Sequence, residues 1–489
     1  SCRGPLLYNS RISTYARICI LTILHAVGCS VFPPKVFRII GILSLLFSLV
    51  SCASGDFSTD RSSPNLPPEW SRDFTSGEVS VEWLSPFGDE ILSRLVNCAL
   101  ESNYMLKTEE AYLEEAFQEL LIAKSTALPV AALFLSRSRG RVQDSGQGHS
   151  TISSPIDLNL SVNWEMDLWG QLSDIQQAAQ LYYAAQQARY ESAKRRVISD
   201  TTSTYFSAIE AVELLNLAQR RLGNANESFE IVNQGYLLGI NDALDLYLAQ
   251  SVVETNESQL AERQQLLLER IAQLQLNLGL YPDGNMELGS NLPVISAPTS
   301  TGIPSELLTN RPDLQLVWLQ LLTADVESAI AHKNRFPVLT LTANIGLASR
   351  NPPDLSNSES LLWSLAGGVI QPIFEGGRLR ALEKQADARI TQAENIYLDT
   401  VNGAIAEVEN ALSDRRSLGQ SFESALNAES SADAALTLAL EQYQRGLIQY
   451  ITVLGSQQRA FDAATTVIQL RNLLLQNRIQ LQLALGVPL

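Results

Sequence analysis

Histidine and cysteine are nearly missing from this chain, and with them most routes to side-chain chemistry. Of 489 residues, 3 are His and 5 are Cys. Cys2, Cys19, Cys29 and Cys52 all fall in the first 52 residues, and beyond them Cys98 stands alone. A chain that is exported and processed near Cys52 therefore has no intrachain disulfide to form. Past the same N-terminal stretch only His149 and His332 remain, too little material for a His-based metal cluster or a His-dependent triad. No Gly-rich phosphate loop is present either, so the sequence argues against an enzyme and calls for no cofactor.

Proline is absent between Pro155 and Pro282, and again between Pro372 and Pro488. Both spans are rich in Ala, Leu, Gln, Glu and Arg. An interior proline costs a helix about 3 kcal/mol, so these spans predict long uninterrupted helices. Basic residues are scarce as well. Residues 1–51 hold five bases and no acid, leaving 30 bases against 52 acids in residues 52–489, a net −22. That balance excludes a nucleic-acid surface, which needs clustered Lys and Arg to neutralise phosphates.

The five N-terminal bases have a use. Lys35 and Arg38 precede the apolar core Ile39–Phe47, and Leu49-Val50-Ser51-Cys52 follows. Such a segment reads as a secretory signal, too short to span a membrane as a helix. Its last four residues resemble the bacterial lipobox, which implies that Cys52 is the lipidated mature start. Residues 1–51 are thus expected to be an upstream extension and lipoprotein signal, and residues 52–82 a polar linker.

What the chain does have is one stretch of faultless alternation. From Ile156 to Leu168, apolar Ile156, Leu158, Leu160, Val162, Trp164, Met166 and Leu168 are separated by Asp157, Asn159, Ser161, Asn163, Glu165 and Asp167. A period of two is a β-strand with one greasy and one wet face, the pattern of an outer-membrane barrel strand. Leu128-Pro129-Val130 opens an earlier strand, ended by a polar loop over 136–154. After Leu168-Trp169-Gly170 comes a predicted helix of about 65 residues. Leu238-Gly239-Ile240-Asn241 breaks it, and a second helix runs back.

All of this happens twice. Leu379, Tyr443, Gly446 and Gln457 match Leu172, Tyr236, Gly239 and Gln250 at a constant offset of 207, and Phe336-Pro337-Val338 matches Leu128-Pro129-Val130 at 208. One shift shared by a strand entry, a helix start and a helix turn marks an internal duplication. The expected repeats are 83–281 (strands about 128–138 and 156–168, helices about 171–236 and 242–280) and 310–489 (strands about 337–347 and 361–374, helices about 378–444 and 449–485), joined by a connector, 282–309. The second long helix carries an Ala-rich seam through Leu382, Ala386, Ile390, Ala393, Tyr397, Ala404, Val408 and Ala411, at coiled-coil steps.

The order of elements resembles the TolC outer-membrane efflux family, and so do Trp164–Gly170, Arg311-Pro312-Asp313, Pro372-Ile373-Phe374, and Tyr443 and Gly446 followed by Tyr450–Leu454. With the lipobox, the chain is most similar to the OprM/NodT-type lipoproteins. The resemblance implies a mainly α fold with a membrane β-barrel: a homotrimer whose chains each give four strands to a twelve-stranded barrel and whose helices form a periplasmic tunnel. It implies as partners a periplasmic adaptor, an inner-membrane RND-type or ABC-type pump, and outer-membrane lipid. It places Leu238, Gly239, Ile240, Arg445, Gly446 and Leu447 at adaptor-docking tips, and Ile451 and Gly455 at the periplasmic aperture. Members usually have Asp at the latter place, so Gly455 departs from the pattern and leaves Ile451 to close the aperture sterically. Trp164, Trp169 and Trp363 are expected as membrane-interface aromatics. Two other export roles compete: a periplasmic adaptor lipoprotein, which predicts a single hairpin and lipoyl-like β-domains, and the outer-membrane duct of a type I secretion system.

Overall fold

The proline-free spans become the longest elements of the computed structural model, which describes residues 64, 66–71, 87–143, 150–294, 302–349 and 360–487. Cys52 and the signal segment lie outside the described residues, as does most of the linker. The first elements are α1 (Glu90–Ser102) and α2 (Tyr104–Ser125). Asp89 starts α1 by accepting the backbone N–H groups of Ile91 and Leu92 at 2.8 and 3.1 Å, which satisfies donors a helix start leaves unpaired. Asn103 ends α1 and caps α2 through its side chain.

Strands β1 (Val130–Arg137), β2 (Gly140–Gln143), β3 (Ser150–Ser153) and β4 (Ile156–Met166) follow, then the helical hairpin α3 (Gln171–Leu237) and α4 (Ala243–Asn277). After the connector a 3₁₀ turn, Pro304–Glu306, and a single helical turn, α5 (Leu307–Asn310), lead into α6 (Pro312–Lys333). Then come β5 (Val338–Ser349), β6 (Leu361–Ile370), α7 (Arg378–Gln444) and α8 (Tyr450–Leu485). Helices α3 and α7 have 67 residues each, about 100 Å at 1.5 Å per residue. Among the described residues no helix is long and apolar enough to cross a membrane.

The two strand pairs meet in one sheet, ordered β1-β4-β5-β6, with every neighbour antiparallel. Its register is long, with Ile156 opposite Ser349 and Met166 opposite Leu339. Three expectations need correction. The segment 136–154, expected as a polar loop, contains a separate antiparallel pair, β2 with β3. Strand β6 stops at Ile370, four residues before the expected end, because Gln371 and Pro372 turn away: Gln371 Nε2 donates to the Arg335 carbonyl at 3.0 Å, and Pro372 has no N–H to donate.

Strand β4 also ends early, at Met166, since Asp167 is spent on the next helix. Its carboxylate accepts the N–H groups of Leu172 and Ser173 at 3.0 and 2.9 Å and the Ser173 hydroxyl at 2.6 Å. The main core lies where α1, α3, α4, α6, α7 and α8 converge. Tyr205, Phe206, Ile209, Leu274, Leu314 and Leu475 are fully buried there. A smaller apolar cluster of Val232, Ala249, Ala439, Tyr450 and Val453 closes the far end of the hairpins.

Candidate functional site: sheet faces, junction, aperture and tips

Cross-strand partners share a face, so the register sorts the sheet into two surfaces. On one lie Leu133 and Leu135, all the apolar residues of β4 from Ile156 to Met166, Leu339, Leu341, Ile345 and Leu347, and Leu361, Trp363, Leu365 and Val369. On the other lie Asp157, Asn159, Ser161, Asn163 and Glu165, with Thr340, Thr342, Asn344 and Ser364. These polar side chains bond across strands: Thr342 Oγ1 donates to Asn163 Oδ1 at 2.9 Å, and Asn344 Nδ2 to Ser364 Oγ at 3.3 Å. Apolar residues interrupt this face at Phe134 and Leu362, opposite Asn159 and Gly346, and towards its helical end at Val130, opposite Asn163, and at the pair Val338 and Ile370. Gly346 is required there, since a Cβ would come within 2.4 Å of the Leu158 carbonyl oxygen.

The three tryptophans occupy different settings. Trp363 is 76% exposed on the apolar face. Trp164 is half-buried and donates its indole N–H to the Ala127 carbonyl at 3.0 Å; Trp169 donates to the Pro337 carbonyl at 2.7 Å and packs on Phe336. The last two brace the junction between strands and helices, beside a charged knot in which Lys333 pairs with Asp174 at 2.6 Å and Glu383 receives His332 at 2.7 Å and Arg335 at 3.0 Å. The hydrogen bond to His332, against the opposing effect of burial, holds the Glu383 carboxyl below its usual range, with Arg335 assisting.

At the opposite end both hairpins turn by the same device. Gly239 and Gly446 adopt φ of +76° and +73°, and a Cβ at either would meet nothing within 4 Å. Gly239 N–H donates to Tyr236 at 3.0 Å and Ile240 N–H to Gly235 at 2.8 Å; Gly446 N–H donates to Tyr443 at 2.8 Å and Leu447 N–H to Gln442 at 2.9 Å. This is the Schellman closure, which satisfies orphan helix carbonyls and favours glycine because its φ is left-handed. Leu238, Ile240 and Leu447 are exposed at the turns, and Arg445 reaches Glu441 at 3.9 Å. Ile451, the second residue of α8, is 53% exposed, and Gly455 lines a cleft between α3, α4 and α8.

Sequence reasoning missed two buried polar arrangements. Arg311, 7% exposed, donates from Nε and Nη2 to Asp313 at 3.0 and 2.6 Å, and from Nη1 to Glu407 at 2.7 Å and the Ala484 carbonyl at 3.0 Å. It ties the start of α6 to α7 and α8. Between α3 and α8, Asn472 Nδ2 donates to Glu210 at 2.6 Å and Gln457 Nε2 to Ser228 Oγ at 3.0 Å. Burial pushes the Glu210 carboxyl up, and Asn472 offsets part of that.

The model of the outer membrane efflux protein family matches residues 95–280 and 303–487, most of both repeats. The chain belongs to this family. Among similar proteins, the toluene efflux pump outer membrane protein TtgF of Pseudomonas putida is 30% identical over 421 residues, 84% of this chain and 86% of TtgF. The probable outer membrane lipoprotein SilC of Salmonella typhimurium is 28% identical over 455 residues, 91% of this chain and 97% of SilC. The solved structure of CusC, a transmembrane channel, superposes with a TM-score of 0.79 at 26% identity, covering 88% of this chain and 98% of CusC. As a member of the family the protein is an outer-membrane efflux channel, an exit duct in which strands form a barrel in the outer membrane and helices a periplasmic tunnel.

Proposed function

We propose that three copies of the chain assemble as the passive outer segment of a tripartite pump, carrying small molecules from a periplasmic adaptor and an inner-membrane pump to the exterior. The observation that supports this best is the two-faced sheet with β1 and β6 at its ends. An open sheet edge has no partner in hydrocarbon, and four strands are too few to close a membrane barrel, so three chains pooling twelve strands satisfy every edge. The apolar face then meets lipid, and the Asp157–Glu165 row lines a wet lumen. Trp363 suits the lipid interface, whereas Trp164 and Trp169 serve the strand–helix junction.

The tips Leu238-Gly239-Ile240 and Arg445-Gly446-Leu447 are the adaptor-docking surface in this reading, and Ile451 and Gly455 border the aperture. The pump is of RND or ABC type. TtgF bears the name of a toluene efflux pump; in this chain a wide tunnel selects little, and the pump chooses the cargo. Cys52 is the lipidated residue, a reading supported by its Leu-Val-Ser-Cys context and by the lipoprotein name of SilC. Reconstitution of the purified protein in planar bilayers tests the duct: a native mass of three diacylated chains and ohmic conductance are expected. A monomer without conductance would overturn the reading, and a mature start other than Cys52 would remove the anchor.

A further inference from the structure

The cleft beside Gly455 has a volume of about 270 Å³ and is built from three helices. Its polar groups are placed as in a binding site. Asn256 of α4 lines it, is 3% exposed, and has no hydrogen-bond partner for Oδ1. A buried amide oxygen left unpaired is destabilising, so the fold gains by supplying it with a donor. Across the cleft Arg221 of α3 lays its guanidinium over the Phe461 ring, 5.6 Å from the centroid, and donates to Gln458 Oε1.

Arg221 has its nearest anion only at second hand, since Asp462 is linked to it through Gln458. Among the described residues no carboxylate lies within 4 Å of it, and the nearby Asp462 is engaged by Gln458 Nε2, at 2.7 Å to each oxygen. Burial weakens the hold of Arg221 on its proton, and Asp462 only partly restores it, as expected for a cation short of an anion. Between the charge and the amide the lining is apolar, with Ala225, Val252 and Leu454. Gly455 keeps the space open: a Cβ there would meet nothing within 4 Å, so packing does not demand the glycine.

We infer that this cleft is a binding site for a small organic carboxylate that also carries an O–H or N–H donor, the carboxylate pairing with Arg221, the donor reaching Asn256 Oδ1, and the apolar body resting on Phe461 and Leu454. The volume is just below the range of drug-sized pockets, which limits the ligand to roughly ten non-hydrogen atoms. Guanidinium and carboxylate pair bidentately, and the last torsion of an Asn side chain is soft enough to turn its oxygen to a ligand. Titration of the purified protein reads binding alone, so a failure of the duct reading would leave this test standing.

The probe is 4-hydroxyphenylacetate, titrated into the full-length detergent-purified protein and followed by ligand-observed NMR and calorimetry. Saturable binding in the micromolar-to-millimolar range is expected, one site per chain. Phenylacetate, without the donor, and 4-hydroxyphenylacetamide, without the charge, should each bind at least tenfold more weakly. Gly455→Leu should abolish binding while leaving the unfolding midpoint unchanged or raised, since glycine within a helix is the weaker former. Arg221→Gln should reduce binding at least tenfold. No saturation by millimolar probe, equal binding of the three compounds, or binding unchanged in Gly455→Leu would each overturn the site and leave the cleft to water.

Discussion

Leu160 and Asn163 lie three residues apart on β4 and face opposite ways, which makes arginine at each a matched test of where the bilayer is. Leu160 sits near the middle of the strand, between Leu133 of β1 and Ile345 of β5, both exposed. If that face meets lipid, Leu160→Arg puts a charge near the midplane at about 2–4 kcal/mol per chain, and so about 6–12 kcal/mol over three chains. Asn163 is exposed on the polar face and accepts Thr342 Oγ1 at 2.9 Å. Its replacement by Arg forfeits one neutral hydrogen bond, about 1 kcal/mol, and leaves the charge in water. Ser161 is a poorer control, because it is buried beneath its neighbours. Heat-resistant trimer in the outer-membrane fraction should fall at least tenfold for Leu160→Arg and less than twofold for Asn163→Arg. Equal loss in both would refute the assignment of faces.

Gly239→Val with Gly446→Val forces a left-handed β-branched residue at each tip, about 1–2 kcal/mol per site, where no atom crowds the new side chain; efflux by cells carrying the cognate pump should be lost while heat-resistant trimer persists, and normal efflux would remove the tips from docking. Gly486→Ala should destabilise far more than Gly403→Ala in chemical denaturation, since Gly486 has φ of +66° and its Cβ would lie 2.8 Å from Asn310 and Arg311 atoms, whereas a Cβ at Gly403 meets nothing. Glu383, depressed below its ordinary value of 4.5, contributes stability that is present above that value and lost as pH falls through its folded value. Amide protection factors around Phe336 and Gly377, corrected for the intrinsic exchange rate, should therefore fall in acid in the parent protein, and Glu383→Gln should flatten that dependence.

The sequence showed its long-period order plainly and its tertiary polar contacts hardly at all. Proline-free spans and strict alternation are local signals, so α3, α7 and β4 could be read from composition and period. The β2–β3 hairpin escaped because Arg141, Gln143, Ser150 and Thr151 offer no apolar alternation to read. Arg311-Pro312-Asp313 was visible as a motif, but Glu407 and Ala484, which Arg311 reaches 96 and 173 residues on, become its partners only in the fold. For the same reason nothing in the sequence around Asn256 says that its oxygen is stranded among three helices.

The equality of α3 and α7, at 67 residues apiece, makes the pair a shared ruler. Each residue sets the level of a tip by 1.5 Å, so a four-residue insertion in one helix alone would lift its turn by about 6 Å above its sister. In a trimer that would break a level rim of six turns into two staggered rings of three, and no flat-ended partner could seat on both. If the tips form one docking rim, length changes in these helices are tolerable only in pairs, and the duplication supplied both halves with the same gauge.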